Sequence, residues 1–291
     1  MLKTLSLVAI AMFAFAANSL LCRMALANSS IDPVSFTILR IVSGALALLF
    51  LSLYSKRRKP QHHHTDGLLK DLKSNASVFG GLSLFAYAIS FSYAYISMST
   101  GTGALLLFGA VQLTMISVGL LNGERFKKRQ WCGFASAFTG LIILLLPSAS
   151  APSLLSGAVM VIAGISWGIY SLLGKKSASA LLSTSGNFVY ASLLCVPMLF
   201  VVLVGNAEYL ALNTTGVYYA LASGILASGC GYAIWYSVLP LIKSTTAATV
   251  QLSVPVLATM MGWAVLGEQL NVQILIASLA TLGGIYLVIK K

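Results

Sequence analysis

Charged residues, and acidic residues in particular, are scarce in this chain. Only six of its 291 residues are Asp or Glu, and charged residues make up 8% of the sequence, against 58% hydrophobic residues. A soluble protein of this length needs far more polar surface to cover its core. The composition therefore excludes a soluble globular protein and predicts an integral membrane protein.

Residue patterns of several enzyme classes are also missing. The chain has no Walker A sequence for ATP hydrolysis and no H-E-x-x-H metalloprotease motif. Its four cysteines are widely separated, without a C-x-x-C spacing, so we interpret them as packing residues and not as disulfides or metal ligands. His62, His63 and His64 stand together in a basic segment, where a solvated loop is favoured over a metal site. We expect no metal and no cofactor.

Long apolar runs dominate what is present. A bilayer core of roughly 30 Å needs about 20 apolar residues in one helix. Ten runs of about this length, separated by short polar breaks, cover residues 4–26, 33–54, 76–97, 101–121, 129–147, 153–174, 183–204, 215–239, 244–266 and 271–289. The pattern predicts an all-α integral membrane protein with ten transmembrane helices.

The basic residues follow a simple pattern along these spans. Sixteen of the 18 Lys and Arg residues lie at the termini or in alternate connections, and the other two, Arg23 and Arg40, lie in or beside the first two spans. The positive-inside rule then places both termini in the cytoplasm, with the chain in the inner (cytoplasmic) membrane. The net charge of +12 is therefore a signal of topology, and we do not expect nucleic-acid binding.

The chain also contains a weak internal repeat. An offset of 144 residues aligns the pattern of 100–124 with that of 244–268, and an offset of 152 places FAANSLLCR (15–23) over WGIYSLLGK (167–175). Two matches in the same order indicate a duplicated five-helix unit, residues 1–147 and 148–291. Because five is odd, the second unit crosses the membrane in the opposite sense, which predicts an inverted repeat around a central cavity.

Each half ends its fourth helix in Gly-Glu, within LLNGERF at 120–126 and AVLGEQL at 264–270. In an inverted repeat Glu124 faces the cytoplasm and Glu268 faces outside. One interpretation is a glycine helix cap followed by a solvated acid. The other is that each Glu pairs with a base at a neighbouring helix end and forms part of a gate.

Few polar side chains lie near the middle of the spans, where hydrocarbon makes each of them costly and therefore informative. Asn18 shares a helix face with Phe15, and Trp167 lies on the corresponding face of the sixth span. An amide beside aromatic rings suits a small zwitterion or an aromatic ring, although an interhelical hydrogen bond also explains Asn18. The other predicted ligand contacts are Tyr87, Gln112, Tyr232 and Gln251. Neither glutamine is matched by a glutamine in the other half of the repeat. A ligand that is itself asymmetric would favour such a difference between the halves.

Arg40 is a strong charge well inside a span, about 10 Å from the start of the second helix at 1.5 Å per residue. Asp32 lies about two turns away, too far for a direct pair along the helix. One interpretation is a structural lock, in which Arg40 reaches outward or bonds backbone carbonyls. The other is capture of a substrate carboxylate through two parallel hydrogen bonds.

The ten spans, the two five-helix halves, FAANSLLCR in the first span, PVSFTILRIVSGA in the second and the two Gly-Glu endings together resemble EamA-type members of the drug/metabolite transporter superfamily. The resemblance covers the whole chain. It implies a ten-helix bundle around a central cavity and transport of small organic metabolites, often amino acids, usually outward. Phe15 departs from the tryptophan usual in the first span, whereas Trp167 occupies the equivalent place in the second half.

A secondary transporter working by alternating access is the leading functional prediction. A membrane assembly subunit and, less favoured, an intramembrane enzyme are the alternatives. No predicted span carries Asp, Glu or His near its centre, which argues against an intramembrane general base and favours facilitated diffusion or exchange over proton antiport. The expected partners are a small-molecule metabolite and the lipid bilayer, and the protein is expected to act as a monomer or homodimer.

Overall fold

The computed structural model describes residues 2–27, 30–58, 67–121, 123, 125–146, 152–174, 177, 179–204, 212–238, 241 and 250–289. Glu124 and the three histidines at 62–64, which the sequence analysis singled out, lie outside the described residues.

The described chain is helical, which confirms the all-α part of the predicted fold class. In chain order the helices are α1 (Leu2–Ala27), α2 (Pro33–Arg58), α3 (Leu68–Asn75), α4 (Val78–Ala94), α5 (Thr100–Leu121), α6 (Lys128–Leu145), α7 (Leu154–Gly174), α8 (Ala180–Val204), α9 (Thr214–Ala222), a π-helical segment (Ser223–Cys230), α10 (Gly231–Val238), α11 (Ser253–Leu266) and α12 (Val272–Ile289). Most of these bounds lie within four residues of the apolar runs, because apolar length decides where each helix ends.

Six helical stretches of the described chain are long and apolar enough to cross a membrane, and the α3–α4 pair makes a seventh if it is counted as one span. They are α1, α2, α5, α7, α8 and the continuous stretch from α9 to α10. Helices α11 and α12 are apolar but shorter in the part that the structure describes. The protein is therefore a multi-pass membrane protein.

Helix α3 is an element that the sequence analysis missed. It is short and polar, and the chain bends by 79° between it and α4. Ser77 begins the new direction, since its Oγ accepts a hydrogen bond from Gly80 N at 3.3 Å, as helix N-caps do. Asn187 of α8 also stabilises the bend, since its side-chain oxygen accepts a hydrogen bond from Ser77 N at 2.9 Å. The search for long apolar runs did not reveal α3, because this helix is short and polar.

The π-helical segment was also not predicted, although it lies inside the expected eighth span. It begins and nearly ends with Ser-Gly pairs, at 223–224 and 228–229. Residues five apart on an α-helix point about 140° away from each other at 3.6 residues per turn. The i to i+5 repeat of a π-helix returns them to nearly the same side. Ser223 and Ser228 therefore both face α1 and α2.

Packing takes place mainly between the N-terminal helices α1–α6 and the C-terminal helices α7–α12. Helix α2 packs on α8, α5 on α11 and α6 on α12. Two further contacts occur twice with the halves exchanged. Helix α4 packs on α7 as α1 packs on α9 and α10, and α5 packs on α7 as α1 packs on α11.

Both Gly-Glu pairs have the glycine conformation that a helix cap requires. Gly267 is the C-cap of α11 with φ +65°, and Gly123 follows α5 with φ +91°. Residues with a Cβ rarely adopt this left-handed conformation. The predicted glycine cap is therefore confirmed at Gly267, and Gly123 adopts the conformation that such a cap requires.

Candidate functional site

Aromatic rings from both halves meet at the centre of the bundle. Trp167 of α7 lies at the middle of the group, with its ring centroid 4.8 Å from Tyr87 of α4 and 4.8 Å from Tyr232 of α10. Phe15 of α1 contacts Trp167 at 6.2 Å and Tyr232 at 5.7 Å, both edge to face. The positions paired by the 152-residue offset, Phe15 and Trp167, thus touch each other. We call these four residues the aromatic cluster.

A small cavity lies within the aromatic cluster. Its volume is about 10 Å³, close to the minimum that one water molecule needs. The lining residues are Phe15, Asn18, Ser19, Tyr87, Phe91, Leu107, Phe108, Trp167 and Tyr232. Asn18, Tyr87, Trp167 and Tyr232, four of the predicted contact residues, therefore lie around one space. A solute larger than water needs these walls to move apart.

Asn18 is buried and links three helices. Its amide nitrogen donates to Tyr87 Oη at 3.2 Å, and its amide oxygen accepts from Ser223 Oγ in the π-helical segment at 2.6 Å. The interhelical hydrogen bonds that the sequence offered as one explanation of Asn18 are thus present, and Asn18 also lines the cavity. The bonds fix the orientation of its amide.

Arg40 is buried beside the same cluster, with 2% of its surface exposed. Its Nη2 donates to Tyr87 Oη at 2.9 Å and its Nε to Ser228 Oγ at 3.2 Å. The guanidinium carbon also lies 5.0 Å from the ring centre of Tyr87 and 4.9 Å from that of Phe91, within cation-π range. Arg40 therefore turns inward to side-chain hydroxyls and does not reach outward, which was one of the two forms given for the structural lock.

The two predicted glutamine contacts lie elsewhere. Gln112 is buried on α5, with 3% of its surface exposed, and is not among the residues that line the cavity. Gln251 is half-buried just before α11 and is also outside the cavity lining. The structure thus does not bring either glutamine to the aromatic cluster.

Glu268 lies in a polar cluster at one end of the bundle. Its carboxylate accepts hydrogen bonds from Thr100 N at 2.8 and 2.9 Å and from Thr100 Oγ1 at 3.1 Å, at the first turn of α5. Arg23 Nε lies 3.6 Å from Glu268 Oε1. Arg23 Nη1 donates to the carbonyls of Tyr95 and Ile96 at 3.0 and 2.8 Å. The acid thus pairs with a base on a neighbouring helix end, as the second interpretation of Gly-Glu predicted.

The residues that sequence reasoning missed are the hydroxyl partners Ser223 and Ser228. The paired Ser-Gly dipeptides were a usable signal, since Gly/Ser pairs and π-bulges often disturb a helix. One hydrolase-type pattern, G-x-S-x-G, does occur at residues 164–168, around Ser166. It lies inside the continuous helix α7 and lacks the strand-to-helix turn that exposes such a nucleophile. Within the described residues no group of three or more His, Cys, Asp or Glu side chains suits a metal ion.

The chain is similar to several known proteins, one of which has a solved structure. The chain is 47% identical over 287 residues, 99% of its length and 94% of the other, to the uncharacterized protein PA1977 of Pseudomonas aeruginosa. It is 24% identical over 266 residues to the uncharacterized transporter YoaV of Bacillus subtilis, with 88% of this chain and 87% of YoaV covered. A solved crystal structure matches 96% of this chain and 97% of its own with a TM-score of 0.62. At 18% identity that match shows the fold alone.

The family profile of the EamA-like transporter family matches this chain twice, over residues 2–146 and 155–290. The two matches together cover nearly all of the sequence, and their boundary falls between α6 and α7. The chain is a multi-pass membrane transporter and belongs to the EamA-like transporter family.

Proposed function

We propose that the protein is a secondary transporter that exports small organic metabolites, such as amino acids, by alternating access of its two halves. The observation that carries the proposal is the aromatic cluster. Its four rings come from α1 and α4 on one side and from α7 and α10 on the other. A closed space shared by two similar halves is what a carrier needs in order to expose one site to each side in turn. The outward direction follows from the family resemblance.

The internal repeat supports this reading. The family profile matches two successive parts of the chain, 2–146 and 155–290. Helix contacts occur in equivalent pairs when the halves are exchanged. We take the ten helical stretches, with α3 as an extra surface helix and α9–α10 as one span, to be ten transmembrane crossings. The two units of five then have opposite orientations.

The chemistry of the cavity wall favours a small amphipathic solute. Rings and the Asn18 amide can hold an apolar group and a polar head together. The acids within the described residues, Asp32, Asp71 and Glu268, lie at or near helix ends or in the short helix α3. This distribution supports facilitated diffusion or exchange over proton antiport, because proton-driven carriers use a titrating group in the membrane.

Flux in liposomes tests the function directly. Purified protein reconstituted without nucleotide should exchange at least one amino acid or similar metabolite across the bilayer, and unlabelled solute inside should accelerate uptake of labelled solute. Cells that overproduce it should also tolerate toxic amino-acid analogues better. An assembly subunit or an intramembrane enzyme would give no such flux, so its absence across a broad panel would contradict the proposal.

Single substitutions in the candidate site should weaken transport. Losing one hydrogen bond or ring contact costs on the order of 1 kcal/mol, or several-fold in apparent affinity. Asn18→Ala and Trp167→Ala should each lower the apparent affinity for a confirmed substrate while the purified protein stays monodisperse. Gln112→Ala, outside the cavity lining, should change the affinity less if this cavity is the site. Unchanged affinity in both Asn18→Ala and Trp167→Ala would refute this cavity as the site.

The ten-span topology is tested by labelling introduced cysteines separately from each side of the membrane. Cys132 is exposed, so the labelled cysteines must be placed in a background from which the four native cysteines are removed. Cysteines at positions 58, 127 and 291 should react only from the cytoplasm, and cysteines at 150 and 269 only from outside. A cysteine at 127 that reacts from the outside would be incompatible with the inverted repeat.

A further inference from the structure

We infer that Arg40 and Tyr232 together form a binding site for a single substrate carboxylate, so that the transported compounds are monocarboxylates. The inference rests on the proposed transport function and specifies its substrate class. The two residues come from opposite halves, Arg40 from α2 and Tyr232 from α10. Both are buried, with 2% and 1% of their surfaces exposed.

Each of the two side chains keeps a hydrogen-bonding atom without a partner. Among the described residues, Arg40 Nη1 and Tyr232 Oη are buried and make no hydrogen bond. An unsatisfied buried polar group destabilises the folded state, and an unsatisfied charged group does so more strongly. Native structures rarely retain such groups unless they have a role or a missing partner.

The positive charge of Arg40 is the stronger reason to infer an anionic ligand. Its two protein hydrogen bonds go to the neutral hydroxyls of Tyr87 and Ser228, so neither offsets the positive charge. Neither ion pair of the described residues involves Arg40, because these join Arg23 to Glu268 and Lys56 to Asp71. A buried charge is stable when it is paired. An anion is therefore the ligand that this site favours.

Tyr232 supplies the second donor. It lines the cavity and lies four residues after Ser228, which accepts the hydrogen bond from Arg40 Nε. Tyr87 Oη already accepts from both Arg40 and Asn18, which leaves its own proton available for donation. A carboxylate has two oxygens that accept such donors, and charge-assisted hydrogen bonds of this kind are roughly twice as strong as neutral ones.

The surroundings restrict the ligand to one negative charge. The residues that line the cavity are apolar or neutral, and Arg40, which is not among them, packs against two of them, Tyr87 and Phe91. A second carboxylate would have to be buried without a cation, which is strongly unfavourable. Dicarboxylates and phosphate esters should therefore be excluded, while the rings accept the apolar part of a monocarboxylate.

Direct binding to purified protein in detergent tests this site without requiring flux. The probes are the common amino acids and benzoate, each compared with its carboxamide, which keeps the shape and removes the negative charge. At least one carboxylate should raise the melting temperature and change tryptophan fluorescence, since Trp167 lies in the cavity. Its carboxamide should bind at least tenfold more weakly. Equal binding of acid and amide, or no binding of any carboxylate, would overturn the inference.

Tyr232→Phe is the sharpest variant, because the hydroxyl it removes makes no hydrogen bond within the described structure. The melting temperature without ligand should not fall, while the preference for carboxylate over carboxamide should drop several-fold. Tyr236→Phe, four residues along the same helix and outside the cavity lining, is the matched control and should keep the preference. A Tyr232→Phe protein that retains the full preference would contradict the assigned site.

Arg40→Lys keeps the positive charge but loses the planar guanidinium, which can donate two parallel hydrogen bonds to a carboxylate. It should weaken carboxylate binding about tenfold and amide binding little. A well-folded Arg40→Lys protein with unaltered carboxylate binding would refute substrate capture. Flux measurements separate the two proposals: flux without preference for carboxylates overturns this inference alone, whereas carboxylate binding without flux of any solute overturns the transport function.

Discussion

Adding one methyl group at Gly224 should destabilise the protein by about 1–3 kcal/mol, the usual effect of forcing an extra group into a packed core. A Cβ there would lie 3.0 Å from the Cα of Arg40 and closer still to the carbonyl oxygen of Arg40 and to Ser43 Oγ. Two of these atoms belong to the backbone of α2, so they cannot rotate away. The π-helical segment and α2 would have to separate.

The same separation should weaken the site. Ser228, four residues after Gly224, accepts the hydrogen bond from Arg40, and Ser223, immediately before it, donates to Asn18. Gly224→Ala should therefore lower both the melting temperature in detergent and the apparent substrate affinity. Thermal unfolding and liposome uptake measure the two effects on the same preparation.

Gly283 of α12 provides the matched control. An added Cβ there meets no atom within 4 Å of the described structure. Gly283→Ala should leave stability unchanged or raise it by up to about 1 kcal/mol, because alanine favours the helix. If both variants behaved alike, close packing at Gly224 would not be what holds the site.

Hydropathy was enough to predict most of the fold. The apolar run at 101–121 corresponds to the helix Thr100–Leu121, and the run at 153–174 corresponds to the helix Leu154–Gly174. In a membrane, the length of an apolar stretch decides where a helix lies, so local sequence carries the answer. Helix α3 escaped because it is short and polar, and such a helix is stabilised by its neighbours and not by composition.

The site could be predicted only in part. Asn18, Tyr87, Trp167 and Tyr232 were found because a polar or aromatic side chain deep in a span is uncommon. The partners of Arg40 were not, since Tyr87 is 47 and Ser228 is 188 residues away in the chain. Pattern within one helix says nothing of such pairings. Gln112 and Gln251 were predicted on the same grounds, as polar residues near mid-span, but neither lines the cavity.

Glu268→Gln should open the bundle on the side where Glu268 lies. The carboxylate joins the end of α11 to the first turn of α5 through Thr100, and it lies beside Arg23 near the end of α1. Glutamine has nearly the same shape but loses the charge and one acceptor oxygen. Removing such charge-assisted contacts costs about 1–3 kcal/mol. We propose that these contacts break when the transporter opens to the outside, so their loss should favour the open state.

Cys22 reports this opening, because it is fully buried in α1, immediately before Arg23 in the chain. With the other three cysteines replaced, a membrane-impermeant thiol reagent added outside should modify Cys22 on the order of tenfold faster in Glu268→Gln than in the parent, since 1.4 kcal/mol corresponds to a factor of ten. Asp71→Asn, which breaks the more exposed pair with Lys56, should leave the rate unchanged. A general loss of stability would accelerate modification from both sides, whereas a gate accelerates it from outside alone. Equal modification rates in Glu268→Gln and its parent would mean that these contacts persist in the open state.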